Sequence, residues 1–127
     1  MKVSVEQVEV HSDHRGAVLR PVSPEDLAWL KDVHAGITLP GCVRGNHYHP
    51  KATEVLVLFG PCLVRLREEG GLRDVIVREG EVCRFNIPPG VSHAFKNIGA
   101  QSISMVAFSS CADSDGQTET IKDILID

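Results

Sequence analysis

A chain of 127 residues, 43% hydrophobic and 24% charged, holds enough apolar material to bury one core without cross-links, and reads as a single domain over residues 1–127. Its formal net charge of -4 argues against nucleic acid or an anionic membrane surface as the main partner, while a local cluster of arginines still suits an anionic small molecule. The absence of a signal-peptide pattern and of any apolar run of spanning length sets the cytoplasm as the expected location. Cys42, Cys62, Cys83 and Cys111 are widely spaced with no C-x-x-C, so they are expected as reduced thiols that act as small hydrophobes.

Lys2 to Val10 alternates apolar and polar residues, which predicts an edge strand. His11 to Gly16 predicts a turn and Ala17 to Val22 a second short strand. Ser23-Pro24-Glu25-Asp26 predicts a helix start, with Ser23 as N-cap and Pro24 in the first turn. That helix is short, ending near Lys31, with Trp29 as a packing residue. His34 to Leu39 predicts a strand stopped by Pro40-Gly41.

Beyond Gly60, LVRLRE and LRDVIVRE predict a hairpin around Glu69-Gly70-Gly71. Arg78-Glu79-Gly80 is the next turn, and Val82 to Ile87 a strand that ends at Pro88-Pro89-Gly90. Ser92 to Lys96 and Ser102 to Phe108 complete the strands, and Ile121 to Ile126 is expected as a last strand or short helix after a polar stretch. Phe85, Phe95 and Phe108 are expected in the core or a pocket wall. Many short strands with Gly/Pro turns indicate an all-β sandwich or barrel with one short helix.

The chemistry concentrates in two stretches, Gly41 to Gly60 and Pro88 to Asn97. His47 and His49 stand two apart, so on a strand they project from one face. Glu54 opens the apolar run EVLVLF, and His93 follows the Pro-Pro-Gly turn. Three imidazoles and a carboxylate suit a borderline divalent metal such as Zn, Fe, Mn, Ni or Cu, with positions left open to water or substrate.

These stretches resemble the two signature motifs of the cupin superfamily. The first reads Gly41, five residues, His47-Tyr48-His49, four residues, Glu54, five residues, Gly60; in the second, Pro88, Gly90, His93 and Asn97 match while Gly80 lies two residues too far upstream. The resemblance implies a double-stranded β-helix, or jelly-roll, barrel with His47, His49, Glu54 and His93 as metal ligands. RGNHYHPKATE further resembles the cupin domain of capsular-polysaccharide assembling epimerases and is similar to dTDP-4-dehydrorhamnose 3,5-epimerases, a group that shares Asp13-His14-Arg15-Gly16, while its R-G-x-H-x-H phrase also resembles sugar 3,4-ketoisomerases.

That likeness implies an epimerase or isomerase of a nucleotide-linked 4-keto sugar in polysaccharide biosynthesis, using Zn, Mn or Ni ahead of Fe or Cu. It also implies substrate contacts for Arg15, Arg44 and Arg65, each of which reads equally as a surface charge or, for Arg15, a turn residue. Arg67 shares a strand face with Arg65, and Arg44 falls opposite His47 unless a bulge intervenes. Relatives of the rhamnose type use the histidine matching His47 as a base, with a tyrosine acid. Here Tyr48 is the only tyrosine and points away from the histidines' face, and an imidazole nitrogen on a metal cannot also take a proton. His47 is thus a base only where it is not a ligand; His14, His34, Lys51 and Lys96 are the other bases available. A metal-dependent Fe/Cu dioxygenase and a non-catalytic sugar- or small-molecule-binding module are the alternatives. A homodimer paired through edge strands is expected, with the amino-terminal strand as the interface.

Overall fold

The computed structural model describes residues 2–112 and 119–127. In chain order its elements begin with β1 (Ser4–Gln7), β2 (Val10–Asp13), β3 (Gly16–Leu19), α1 (Pro24–Leu27), β4 (Asp32–Thr38) and β5 (Val43–Tyr48). They continue with β6 (Glu54–Phe59), β7 (Cys62–Glu68), β8 (Gly71–Val77), β9 (Val82–Ile87), β10 (Ser92–Asn97), β11 (Ile103–Ser109) and β12 (Ile121–Lys122). One antiparallel sheet has the order β1-β9-β6-β11-β4 and a second has β12-β5-β10-β7-β8, while β2 and β3 pair only with each other. Two facing antiparallel sheets and one short helix are the expected all-β jelly roll. No helix among the described residues is long and apolar enough to cross a membrane.

Strand alternation explains what fills the space between the sheets. On β6, Leu56 and Leu58 turn inward with Phe85, Ile87, Val64, Leu66 and Phe95, while Val55 and Val57 face outward into a second cluster with Val82, Leu30 and Phe108. Both faces of β6 are therefore buried, which is why its sequence is a continuous apolar run rather than an alternating one. Glu54 keeps the inward phase of Leu56 and Leu58, so the same run that fills the core delivers a carboxylate to its end.

Some boundaries shift for local reasons. The expected strand over residues 2–10 divides, because Val8 N–H turns to the Val82 carbonyl at 2.8 Å and β2 starts afresh in its own hairpin. The helix stops at one turn. Ser23 and Asp26 form a reciprocal capping box, but Arg84 on β9 binds the Asp26 carboxylate at 2.6 Å, and the Lys31 N–H then bonds the Ser109 carbonyl at 2.8 Å to lead into β4. Trp29 therefore lies beyond the helix and is 39% exposed. Cys62, Cys83 and Cys111 are free and buried as expected, whereas Cys42 is exposed.

Candidate metal centre

The site is set up by a single extra residue in β5. His93 on β10 pairs with His47, but the next residue, Ala94, pairs with Gly45, so Asn46 has no partner across the ladder and forms a β-bulge. Gly45 at φ +90° and Asn46 at φ +58° carry the left-handed backbone that the bulge needs. No side chain fits at Gly45, where a Cβ would lie 2.7 Å from the His93 carbonyl oxygen. The bulge also changes the phase of the strand. Arg44 and His47, three apart, both reach one cavity of about 330 Å³, so Arg44 is not on the face opposite His47.

Four side chains from three strands converge on that cavity. His47 lies within β5 and His49 one residue past its end, with the His49 carbonyl held by the Gly90 N–H at 2.8 Å. His93 comes from the central strand β10 of the same sheet, and Glu54 from β6 of the facing sheet. The imidazole of His47 stands with ring centroids 4.9 Å from those of both His49 and His93. Glu54 places one carboxylate oxygen 3.2 Å from His49 Nε2 and the other 3.3 Å from His93 Nε2.

The tautomers follow from the far side of each ring. His93 Nδ1 is 3.1 Å from the Val91 carbonyl and His49 Nδ1 is 3.3 Å from the Glu119 carbonyl. A carbonyl only accepts, so each Nδ1 carries a proton and each Nε2, turned toward Glu54, is the nitrogen left to meet a second proton or a metal ion. Despite the short distances, both Nε2 atoms are buried without an aligned hydrogen bond. Bare acceptors facing a carboxylate at this range repel, so the site calls for a proton or a metal ion among them. One ligand atom from each histidine falls within 4.8 Å of the others, against at most about 4.2 Å for two nitrogens on one ion, so the rings must draw slightly inward to share one. The donor set therefore suits a divalent metal.

The electrostatics agree. Burial pushes the Glu54 carboxyl up, but its contacts with His49 and His93 and their charge outweigh burial and leave it below the ordinary carboxylate range. Glu54 likewise raises His49, ahead of the opposing effect of burial. His47 is lowered to about 4, first by burial and then by the charges of His93 and His49. The cluster thus favours an ionised carboxylate beside a neutral His47, the forms that bind metal.

Around the cluster the cavity is lined by Arg44, His34, Leu56, Phe95, Met105 and Thr120. Arg44 Nε bonds Thr38 Oγ1 at 3.0 Å and its Nη2 bonds the Ile37 carbonyl at 3.0 Å, which fixes the guanidinium at the rim. His34 on β4 joins the lining, whereas His14, Lys51, Lys96 and Tyr48 do not. Arg15 and Arg65 also lie outside it. Arg15 is exposed and folds back on Asp13 at 2.6 Å in the β2–β3 hairpin. Arg65 holds Asp74 at 2.8 and 2.9 Å and the Leu125 carbonyl at 3.3 Å on the outer face of its sheet. Their positions give no support to the expected substrate contacts within this chain.

Three participants escaped the sequence reading. Asn97, matched in the motif without a role, is buried; its amide nitrogen donates to the carbonyls of Thr38 and Gln101, and its Oδ1 accepts the Gly99 N–H, so it locks the turn after β10. Glu119 and Thr120 reach the site from the far end of the chain, a contact that no local spacing announces.

Comparison with known proteins bears on the fold and the family. A family model described as the polysaccharide biosynthesis C-terminal domain matches residues 11–120. Oxalate oxidase GF-3.8 of Triticum aestivum is 39% identical over 74 residues, covering 54% of this chain and 32% of that protein. Germin-like protein 1-2 of Oryza sativa subsp. japonica is 40% identical over 70 residues, covering 54% of this chain and 30% of that protein. The chain spans about a third of the length of these curated relatives.

Among solved structures, a 3,4-ketoisomerase from Helicobacter canadensis superposes with a TM-score of 0.73 at 18% identity, covering 97% of this chain and 92% of that one. QdtA, a sugar 3,4-ketoisomerase from Thermoanaerobacterium thermosaccharolyticum in complex with TDP, gives 0.71 at 18% identity, with 95% and 88% covered. The capsular polysaccharide assembling protein CapF from Staphylococcus aureus gives 0.66 at 20% identity, with 93% of this chain and 34% of that one covered. At these identities the likeness is one of fold. The chain has a cupin-type jelly-roll fold, and by the family model spanning residues 11–120 it belongs to the polysaccharide biosynthesis C-terminal domain family.

Proposed function

We propose that His47, His49, Glu54 and His93 hold one divalent metal ion, and that the cavity around them epimerises or isomerises a nucleotide-linked 4-keto sugar in polysaccharide biosynthesis. The observation that carries the metal is the pair of buried imidazole nitrogens that face a carboxylate with no aligned hydrogen bond. Zn, Mn or Ni is favoured over Fe or Cu, because moving a proton beside a carbonyl needs charge stabilisation and no change of redox state. When bound, the ion supplies Lewis-acid polarisation of the substrate carbonyl. The sugar-nucleotide substrate class is supported by neighbours of the same fold described as sugar ketoisomerases and a 4-keto-6-deoxy sugar epimerase.

The chain's own residues divide the remaining work. His34 lines the cavity outside the ligand cluster, so it is the imidazole left to take the proton from the carbon beside the carbonyl. Arg44, fixed at the rim by Thr38 and Ile37, is placed to meet a phosphate oxygen. Leu56, Phe95 and Met105 supply the apolar wall that limits water around the sugar ring. Two copies pair through a sheet edge in this reading: β1 forms one edge of the first sheet, and at the other β4 exposes Val33 and Ile37, with Leu39 exposed just past its end.

The test is solvent exchange. Metal-loaded protein incubated in D2O with TDP- and UDP-linked 4-keto-6-deoxy sugars is expected to place deuterium on a carbon next to the carbonyl, and His34→Gln to slow this on the order of 100-fold or more. Absence of exchange with both nucleotides would contradict the reaction. The identity with the wheat oxalate oxidase favours a second reading, a redox-active Fe or Cu centre, which predicts oxygen uptake instead of exchange. A purely sugar-binding cupin predicts ligand binding with neither.

A further inference from the structure

We infer that residues 119–127 form a strap that holds the His49 imidazole in one tautomer and orientation, and that Asn46 is the latch that seats it. The consequence for metal affinity rests on the metal reading above; the effect on the ring does not.

The two outer imidazoles obtain the same Nδ1 contact from very different sources. For His93 the acceptor is Val91, two residues away in the turn before β10. For His49 it is the carbonyl of Glu119, with Thr120 Oγ1 at 3.4 Å beside it. No local turn replaces that contact, so whatever seats residues 119–127 decides where His49 Nε2 points. Partners behind a ligating histidine fix its tautomer and ring direction.

The strap runs over the outer face of the second sheet. It enters as β12, pairing Ile121 with Tyr48 and Lys122 with His47. Asp123 comes next: its backbone N–H bonds the Asn46 carbonyl at 2.8 Å, and its carboxylate accepts Ser92 Oγ at 2.6 Å and Arg67 at 3.0 and 3.2 Å. Leu125 and Ile126 are then buried against Ala94 and Val43. Arg65 reaches the Leu125 carbonyl, which accounts for both arginines of β7 as strap contacts.

Asn46 is the joint between the strap and the site. Its side-chain amide donates to the Ile126 carbonyl at 2.8 Å, while its Oδ1 accepts the N–H groups of Leu125 at 2.8 Å and Ile126 at 3.0 Å. The position calls for a residue that tolerates φ +58° and offers both a donor and an acceptor on a short side chain. Asparagine meets all three demands; aspartate lacks the donor and glycine the side chain. The bulge that swings Arg44 into the cavity thus also frees the residue that secures the strap.

The test uses the full chain carrying Asn46→Gly, which keeps the left-handed backbone and removes the latch, with Asp123→Asn as a second variant that loosens the strap at Arg67 and Ser92. Hydrogen exchange at the amides of 121–126 is expected to rise about tenfold or more in Asn46→Gly while β6 and β10 stay protected. Long-range 1H–15N spectra of metal-free protein are expected to show His49 as the Nδ1–H tautomer in the wild type and as a mixture in the variants. Zinc affinity by chelator competition is expected to fall by about 10–100-fold. Unchanged strap protection in Asn46→Gly would overturn the latch. A loosened strap with an unchanged His49 tautomer would overturn the positioning role. If wild type and His49→Ala bind zinc equally, the metal reading fails instead, and the tautomer measurement still decides the strap. Should Asn46→Gly not fold, Asp123→Asn decides the positioning role, and Asn46→Asp, which removes only the amide donor, decides the latch.

Discussion

His93 and His49 present the same nitrogen to the same carboxylate, yet the fold supports them in opposite ways. His93 sits at the middle of a sheet, 2% exposed, with pairing strands on both sides and a ring partner two residues away. His49 sits just past the end of its strand and draws its ring partner from a segment some seventy residues on. One imidazole is built into the core; the other leans on a segment from far along the chain. The difference teaches that a symmetric-looking cluster can rest on one local and one long-range support.

The largest effect should come from the locally supported imidazole. His93→Ala is expected to abolish stoichiometric metal binding and to lower stability as well, because it opens a cavity beside Glu54 and leaves that buried carboxylate with one imidazole fewer. His49→Ala is expected to lose metal with a smaller drop in melting temperature, since its side chain is 14% exposed and packs at the rim. Equal losses of stability in the two variants would remove the contrast.

Next in size is Gly45→Ala, which attacks the bulge. The added Cβ meets the His93 carbonyl oxygen at 2.7 Å on a backbone of φ +90°, so a loss of about 2 kcal/mol or more is expected, read as a melting temperature lower by roughly 5–10 °C. A neutral result would mean that β5 and β10 can repair their register without the bulge.

A smaller, pH-dependent effect separates the ligands electrostatically. In metal-free protein His47 stays neutral down to about 4, whereas the unfolded chain takes a proton near 6.5. Between those values the unfolded state binds more protons, so stability must fall as the pH drops through this window. His49, raised by Glu54, has the opposite sign: its contribution is complete below 6.5 and is lost as the pH rises through its folded value. Melting temperatures measured from pH 7 to 4 are expected to fall with acid in the wild type and to fall less in His47→Gln. The smallest effect is Arg15→Ala, whose only described side-chain partner is the neighbouring Asp13; melting temperature and metal content are both expected to stay unchanged.

How much of this was legible beforehand depended on whether a residue's placement is local. The inward phase of Glu54 follows from the alternation of Leu56 and Leu58, and the shared face of His47 and His49 from their spacing, so the side chains of the cluster could be named from the chain alone. The helix cap was legible too, since Ser23 and Asp26 bond each other across three residues. The length of that helix was not, because a single arginine on β9 and the demand to enter β4 end it after one turn. Arg44 turned on the bulge, which Gly45-Asn46 permits but does not by itself dictate. Arg65 looked like a free cation on a solvated face; its partners Asp74 and Leu125 are fixed only by the hairpin register and by the course of residues 119–127. Long-range partners, not residue types, were what the spacing could not supply.

The account turns on metal in the His47, His49, Glu54 and His93 cluster, so the most direct test is the metal content of protein purified without an affinity tag, wild type beside His93→Ala. About one equivalent of Zn, Mn or Ni per chain, missing in the variant, is the predicted result. No metal in the wild type, even after incubation with each divalent ion in turn, would contradict it.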